Sequence, residues 1–445
     1  MKDRFDPRSY GAVADGHAKD TAAVQGAIDA AAAQGGTVRL AGGTFVCGTL
    51  YLKSNVALEI TNSATLLASP DIADYGTDTH HNRYRNEPEL DRCFLFAQDA
   101  ENVTICGSGV IDGNAAAFPN AGSIYRPMLL RVLRCRNVRV QNLRLLNAAA
   151  WATAFLDSDF IWATDLHIEN HRNYNGDGLD FDGCRHVWVR GCYIDGTDDN
   201  LCLQSSGLPV QDVHISDCAF TSVCAGIRIG LKSIGEISGV VISNCTMRNI
   251  WREGIKLECT EGGSITDILV ENVTMHNVRR PIFAILNNRY RPDDLGSSVE
   301  LDHIPPIGTM ARLRFVGITA VDDEGMAHAQ RRFDNDIMGE PRFGGCRFDA
   351  NAAHPIEDVT IRDFWYTAIG GVRLADLPAA PYPEVPDRLQ APTAPGSENY
   401  YPNWSRTTHL DARYVRGLTL ENLHFITLHP DERPKMLTEG PTVML

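Results

Sequence analysis

A short strand-like pattern recurs along most of the chain, and this repeat constrains the fold more than any other feature. Apolar residues alternate with polar ones and lead into Asn-Cys, Asp-Cys or Asn-Leu, as in Asp212–Cys218. From Val187, equivalent positions fall at residues 213, 240 and 268, in steps of 26, 27 and 28 residues. A strand repeat of this length predicts a solenoid whose stacked coils bury a shared apolar column.

The sequence therefore predicts an all-β fold, a parallel β-helix that forms a single domain over residues 1–445. A propeller fits less well because its repeats are ~40–45 residues long. The terminal coil of a solenoid exposes a sheet edge, so we expect residues 1–40 to act as an N-terminal cap. This cap is predicted to contain a helix that begins at Asp20-Thr21 and runs to about Ala33.

Three long stretches interrupt the repeat in the second half of the chain. We interpret them as loop insertions on the coils rather than as a second domain. They are residues 288–312, 322–357 and 367–415.

Charge and hydropathy limit the partners. With 41 basic and 56 acidic residues the formal net charge is -15, which argues against nucleic acid or an anionic membrane as the main partner. The sequence contains no run of eighteen apolar residues, so it predicts no membrane span. The first residues lack the apolar stretch of a signal peptide, so a cytoplasmic protein is expected, or a secreted or periplasmic one if a leader has been removed. The sequence makes no prediction of oligomeric state.

Of the twelve cysteines, several recur at the same place in the repeat, namely Cys184, Cys192, Cys218 and Cys245, and no Cys-x-x-Cys spacing occurs. This pattern predicts buried, reduced thiols that behave as small apolar residues. No metal or cofactor is expected.

Superposing successive coils brings three aspartates together. Asp177 and Asp199 occupy equivalent places just before a strand, with Asp198 one residue away. Adjacent rungs lie ~4.8 Å apart, so these carboxylates are predicted to be neighbours. Like charges repel, and at least one is expected to have a raised pKa. One protonated and one or two ionised carboxylates are what glycoside hydrolysis needs.

The residues around these aspartates resemble glycoside hydrolase family 28, the polygalacturonase family of right-handed parallel β-helices. The resemblance runs in order over roughly residues 5–290 and continues beyond them only as further coils. Its motifs are Tyr10–Gly16, Gly48–Ser54, Gly109–Gly113, Arg126-Pro127, Asn147–Trp151, Asn175–Asp180, Thr197–Asn200 and Pro281–Phe283.

The resemblance implies a right-handed helix and an inverting hydrolase that acts on pectic, uronic-acid-containing saccharides. It implies that Asp198 is the general acid and that Asp177 and Asp199 hold and deprotonate the attacking water. Inverting enzymes leave ~6.5–9.5 Å between acid and base for that water. The implied partner is an oligo- or polysaccharide of the galacturonan or rhamnogalacturonan type, and the long insertions favour exo action.

This chain departs from the family pattern at three places. Gly176 replaces a threonine, Ala225 stands where the family has a histidine, and Gly254 stands where it has an arginine. A lone lysine binds a carboxylate less firmly than a bidentate arginine, so plain homogalacturonan is a less obvious substrate. The residues that we expect to contact substrate are Asn175, Gln204, Arg228, Lys256 and Arg289.

Two other functions are consistent with the sequence. A β-helix polysaccharide lyase or uronate epimerase would use a base next to a carboxylate neutralised by a cation. A glycan-binding solenoid without catalytic activity would explain the missing histidine and arginine.

Overall fold

The structure, a computed structural model, describes residues 4–79, 91–120, 125–288, 305–325, 344–379, 382, 384–385 and 404–440. These residues form two compact units. One contains the residues up to 200 together with 212–214, and the other contains residues 201–211 and those from 215 onward. Each unit consists of parallel strands stacked in successive coils, so the predicted parallel β-helix is confirmed.

The strands of the first unit are β1 (Arg4–Phe5), β2 (Asp15–Lys19), β3 (Gly36–Leu40), β4 (Gly43–Cys47), β5 (Leu50–Leu52), β6 (Val56–Ile60), β7 (Ala64–Ala68), β8 (Cys93–Gln98), β9 (Glu101–Gly107), β10 (Val110–Asp112), β11 (Met128–Leu133), β12 (Arg136–Gln141), β13 (Arg144–Leu146), β14 (Thr153–Leu156), β15 (Asp159–Thr164), β16 (His167–Asn170), β17 (Leu179–Asp182), β18 (Arg185–Arg190) and β19 (Tyr193–Gly196). β1 pairs in parallel with β3, and β2 pairs with β4. From β3 to β16 the first unit has three strands in each coil, and each strand pairs in parallel with the third strand after it.

The alternation of apolar and polar residues sets which side chains point inward. Along β3, β6, β9, β12, β15 and β18, the paired inward residues form one buried apolar column. The column consists of Val38, Leu58, Ile105, Val140, Ala163 and Val189.

The recurrent asparagines turn the corners between strands. Asn55, Asn102 and Asn137 have φ angles of 64°, 57° and 57°, in the left-handed region that asparagine tolerates better than most residues. Their amides also stack along the coils, because Asn102 donates to Asn55 at 2.8 Å and Asn137 donates to Asn102 at 2.6 Å. The repeat therefore encodes its corners as well as its core.

A helix, α1 (Thr21–Ala32), packs against the first coils as predicted. Its inward side chains, among them Val24 and Ile28, are fully buried. Asp20 stands at the N-cap position, but its carboxylate accepts hydrogen bonds from the backbone N–H groups of Val13 and Ala14 at 2.7 and 3.0 Å. This aspartate therefore joins the preceding loop to the helix instead of capping the first turn.

The remaining strands are longer and run into one another. They are β20 (Leu201–Ser205), β21 (Val210–Ser216), β22 (Ala219–Ser222), β23 (Ile227–Ser233), β24 (Glu236–Ser243), β25 (Thr246–Cys259), β26 (Ser264–Leu286), β27 (Thr309–Val321), β28 (Cys346–Asp349), β29 (Ile356–Gly370), β30 (Leu410–Arg413), β31 (Val415–His429) and β32 (Met436–Glu439).

The predicted alignment of the later repeats holds in the second unit. Val240 pairs with Ile268, which pairs with Leu313 and so on through Val359 to Leu418. The stretches predicted as insertions are not loops throughout, because β28 and β30 lie inside them and pair as rungs of the stack. Both strands are only four residues long, too short for the alternation to stand out in the sequence.

The twelve cysteines are all free thiols, and all but Cys106 are buried, as predicted. In the described part of the chain, no helix combines the length and hydropathy needed to cross a membrane.

His409, in the second unit, is a buried imidazole that the structure holds neutral. Its Nε2 donates to the Ile426 carbonyl at 2.8 Å, and its Nδ1 accepts from the Thr408 hydroxyl at 2.6 Å. Its ring stacks on Phe425. Burial is the main reason that the pKa of His409 falls to about 4, with the cationic Lys435 adding to the effect.

We predict that this histidine makes the protein acid-sensitive. The unfolded chain binds the proton near pH 6.5 and the folded chain only near pH 4, so stability falls as pH drops through that window, by up to about 3 kcal/mol. The free energy of unfolding, measured with urea at several pH values, should depend less steeply on pH between 6.5 and 4 in His409→Gln than in the wild type. His424→Gln is the matched control, because His424 is exposed. An equal pH dependence in the two variants would contradict the assignment to His409.

Candidate active site

Two loops of the first unit carry the three aspartates. Asp177 lies in the loop between β16 and β17, and Asp198 and Asp199 follow β19. Because β16 and β19 pair as neighbouring rungs, the loops begin side by side. The Gly178 N–H donates to the Asp199 carbonyl at 3.1 Å, so the two loops are joined directly at the aspartates.

The three carboxylates differ in exposure. Asp177 and Asp199 are 5% and 1% exposed, whereas Asp198 is only half-buried. The Asp198 carboxylate accepts a hydrogen bond from the Asp199 N–H at 3.0 Å, which holds that carboxylate against the loop backbone. Which of the three carboxylates acts as the acid stays a prediction.

A buried arginine anchors the loop that carries Asp177. Arg126 is fully buried, and its guanidinium donates to the Tyr174 carbonyl at 2.6 Å and to the Asn175 side-chain oxygen at 2.7 Å. Asn175, predicted to contact substrate, is therefore also an anchor of the loop, with a left-handed φ of 54°. In the sequence, only the motif Arg126-Pro127 points to this arginine.

One further titratable group lies in the same pair of coils. Burial, and then the charge of Glu169, raise the pKa of Asp195 to about 7. Its carboxylate lies 2.8 Å from His171 Nε2. The sequence analysis did not single out Asp195, because nothing in the repeat indicates that this residue of β19 is partly buried beside Glu169 and His171.

The other predicted contacts that the structure describes belong to the second unit. The predicted register is confirmed there, since Cys202 pairs with Arg228 and Arg228 with Lys256. The side chains of Gln204, Arg228 and Lys256 are nevertheless buried, at 5%, 6% and 0% exposure. Each cation faces a glutamate, with 3.0 Å from Arg228 to Glu258.

Arg289 lies outside the described residues.

The sequence over residues 45–300 matches the family model described as glycosyl hydrolases family 28. The chain belongs to this family. A probable polygalacturonase of Vitis vinifera is 27% identical over 262 residues, which are 52% of this chain and 52% of that protein. An exo-poly-alpha-D-galacturonosidase of Dickeya chrysanthemi is 25% identical over 243 residues, 43% of this chain and 40% of that one. The chain spans about half the length of the curated relatives that it matches.

The fold has a counterpart among solved structures. A hyperthermoactive exopolygalacturonase from Thermotoga maritima superposes with a TM-score of 0.70 and 18% identity, covering 96% of this chain and 92% of that one. The shared fold is a parallel β-helix, in agreement with the strand pairing described above.

The structure explains one departure of this family 28 chain from the family motif. A Cβ atom on Gly176 would overlap the Thr197 hydroxyl and the Asn170 carbonyl. The Thr197 hydroxyl accepts from the Gly176 N–H at 3.1 Å and donates to the Asn173 carbonyl at 2.5 Å. The Thr197 hydroxyl, on the next coil, thus bridges the two aspartate loops. It occupies the space that a side chain at residue 176 would need.

We therefore predict that Gly176→Ala disrupts the aspartate loops. The added methyl group overlaps a backbone carbonyl that cannot move away, so we expect a loss of about 2 kcal/mol in the free energy of unfolding. Chemical denaturation measures it. Gly26→Ala in α1 is the control, because its Cβ would meet Tyr10 at an ordinary 3.4 Å. Equal stability of the two variants would show that the loops have room at 176.

Proposed function

We propose that this protein is an inverting glycoside hydrolase that cleaves glycosidic bonds in pectic, uronic-acid-containing saccharides. The observation that carries the proposal is the pair of hydrogen-bonded loops that present Asp177, Asp198 and Asp199 in a family 28 chain. An arrangement of nearby carboxylates in different environments suits paired acid and base roles.

In the proposed reaction Asp198 donates its proton to the glycosidic oxygen as the bond to the anomeric carbon breaks. Asp177 and Asp199 accept a proton from a water molecule, whose oxygen attacks that carbon from the opposite face. The proton lost by the acid is thereby replaced by the one taken from water, and the product has the inverted anomeric configuration. Asp198 is the most exposed of the three, which suits the residue that meets the leaving group.

Galacturonan-type and rhamnogalacturonan-type saccharides are the proposed substrates. Two of the matched proteins, from Vitis vinifera and Dickeya chrysanthemi, are named for polygalacturonase or galacturonosidase activity. The Dickeya protein is named as exo-acting, which supports exo action here. A cytoplasmic location stays a prediction.

We predict that Asp198→Asn lowers kcat on pectic oligosaccharides by about 10³-fold with little change in KM, because the amide cannot protonate the leaving group. The products of a panel of such oligosaccharides are followed by anomeric NMR and by the absorbance of unsaturated uronates. Asp165→Asn is the control, since Asp165 is an exposed corner aspartate of the same unit with a left-handed φ that asparagine also adopts.

Other products in this experiment would indicate a different function. Unsaturated products would indicate a lyase, and epimerised residues without chain cleavage would indicate an epimerase. Glycan binding without turnover in the wild type would indicate a binding solenoid. Retention of the anomeric configuration would contradict the roles given to Asp177 and Asp199.

A further inference from the structure

A row of aromatic rings crosses the outer surface of the first unit, on strands other than those next to the aspartate loops. Trp162 of β15 and Trp188 of β18 are register partners, and their ring centroids lie 5.0 Å apart in a parallel stack. His214 continues the row, with its ring 6.2 Å from that of Trp188. Both tryptophans are half-buried and His214 is exposed, so solvent reaches the row.

A second pair of rings lies beside this row, at a corner of the coil. Phe160 and His186 occupy the register positions that follow Asn102 and Asn137 in the asparagine ladder. They keep the left-handed backbone of those asparagines, with φ angles of 56° and 53°, and their rings stack at 4.4 Å. A bulky side chain such as phenylalanine is disfavoured in this conformation, which asparagine tolerates better. The corner thus carries aromatic rings at a cost to the backbone, and strain of this kind is often found at functional sites.

Two arginines flank the rings. The guanidinium carbon of Arg139 lies 3.8 Å from the centroid of the Trp162 ring. Arg185 is exposed at the start of β18, next to His186 in the chain. Among the residues that the structure describes, neither arginine has an ion-pair partner. A guanidinium stacked on a ring keeps its N–H groups in its own plane, where they can donate in pairs to a carboxylate.

The charge of this face is opposite to that of the whole chain. Strands β12, β15 and β18 and residues 212–214 contain four arginines and two aspartates, a formal charge of +2 in a chain of -15. One of the aspartates, Asp159, is already paired with Arg136 at 3.2 Å and with His186 at 2.6 Å. The indole N–H groups of Trp162 and Trp188 have no hydrogen-bond partner in the described part of the chain. The face therefore offers donors and positive charge, which an acidic ligand rich in acceptors complements.

An acidic saccharide suits this face better than other polyanions do. A nucleic acid calls for a strongly basic footprint, and a charge of +2 on an acidic protein does not supply one. A saccharide of uronic acids presents carboxylates to the arginines and hydroxyl oxygens to the indole N–H groups. Its carbon-bound hydrogens give it apolar surface that can pack against the aromatic rings.

We propose that the five rings, together with Arg139 and Arg185, form an aromatic platform that binds an acidic polysaccharide chain at a second, non-catalytic site. The site goes beyond the proposed function, although the choice of a uronic-acid polymer as its ligand rests on that function. Strand β17 lies between the platform and Asp177, and its four residues span ~13 Å. The platform holds a long chain on the protein, whereas a short oligosaccharide bound at the aspartates does not need it.

The test measures the binding of polygalacturonate by calorimetry, in full-length protein that carries Asp198→Asn so that the ligand is not cleaved. Arg139→Gln combined with Arg185→Gln removes both platform cations, and we expect the dissociation constant to rise about 10-fold. Trp188→Ala should raise it by a similar factor. The arginine variant keeps the test decisive if the loss of a stacked tryptophan unfolds the protein.

A matched control removes the same charge elsewhere. Arg4→Gln combined with Arg144→Gln changes two exposed arginines of the same unit, on β1 and β13, and we expect a change of less than 2-fold. Poly-L-glutamate, an acidic polymer without sugar rings, should bind at least 10-fold more weakly than polygalacturonate. With Asp198 intact, the platform variants should lose kcat/KM on polygalacturonate but keep it on trigalacturonate.

Three results would overturn the inference. Equal dissociation constants in the platform and control variants would show that the rings and arginines only stabilise the coils. Binding of poly-L-glutamate as tight as that of polygalacturonate would show that the face attracts any polyanion. Absence of polygalacturonate binding to the Asp198→Asn protein would show that no such site exists.

Failure of the proposed function is a separate result. Protein with Asp198 intact that cleaves no pectic saccharide refutes the hydrolase assignment. The binding experiment does not depend on cleavage, so platform-dependent binding of polygalacturonate would still support the second site.

Discussion

The parallel pairing of one coil with the next is the interaction on which the rest of each unit depends. It requires an apolar residue at every inward position and a backbone that turns sharply three times in each coil. The buried apolar column from Val38 to Val189 supplies the first requirement, and left-handed asparagines such as Asn102 and Asn137 supply the second. Because every rung repeats the same geometry, a loop that leaves one coil starts beside the loop of the next. The neighbourhood of Asp177 and Asp199 follows from this register and needs no long-range folding of the chain.

The register of the coils was predictable because it depends on period alone. The pairing of Val240 with Ile268 and the side-by-side loops at Asp177 and Asp199 both follow from counting residues between equivalent positions. The short strands β28 and β30 were not predictable in this way, since four residues carry too little alternation and long stretches separate them from their neighbours. Where the coils have a regular length, the period identifies the residues that pair. It does not locate strands that long stretches of irregular length separate.

The environment of the polar residues was harder to predict than their position. Alternation places Arg228 and Lys256 on the outer side of a coil, and the sequence analysis treated them as cations that meet substrate. They are buried in ion pairs such as that of Arg228 with Glu258, and the period indicates the position of a side chain on its coil but not how deeply that side chain is buried. The motif Arg126-Pro127 was noted, but the role of Arg126 in anchoring the loop was not predicted, because its partners Tyr174 and Asn175 lie nearly fifty residues away. Hydrogen bonds of this kind join side chains of different coils and do not appear in the repeat pattern of the sequence.

The hydroxyl bridge of Thr197 has a consequence for which substitutions the two aspartate loops accept. The glycine at 176 and the threonine at 197 occupy one volume from two coils, so a change at either position is constrained by the other. A side chain fits at 176 only if the residue at 197 becomes smaller, and that exchange removes the hydroxyl that joins the loops. The two positions therefore have to be changed together, although twenty residues separate them in the chain.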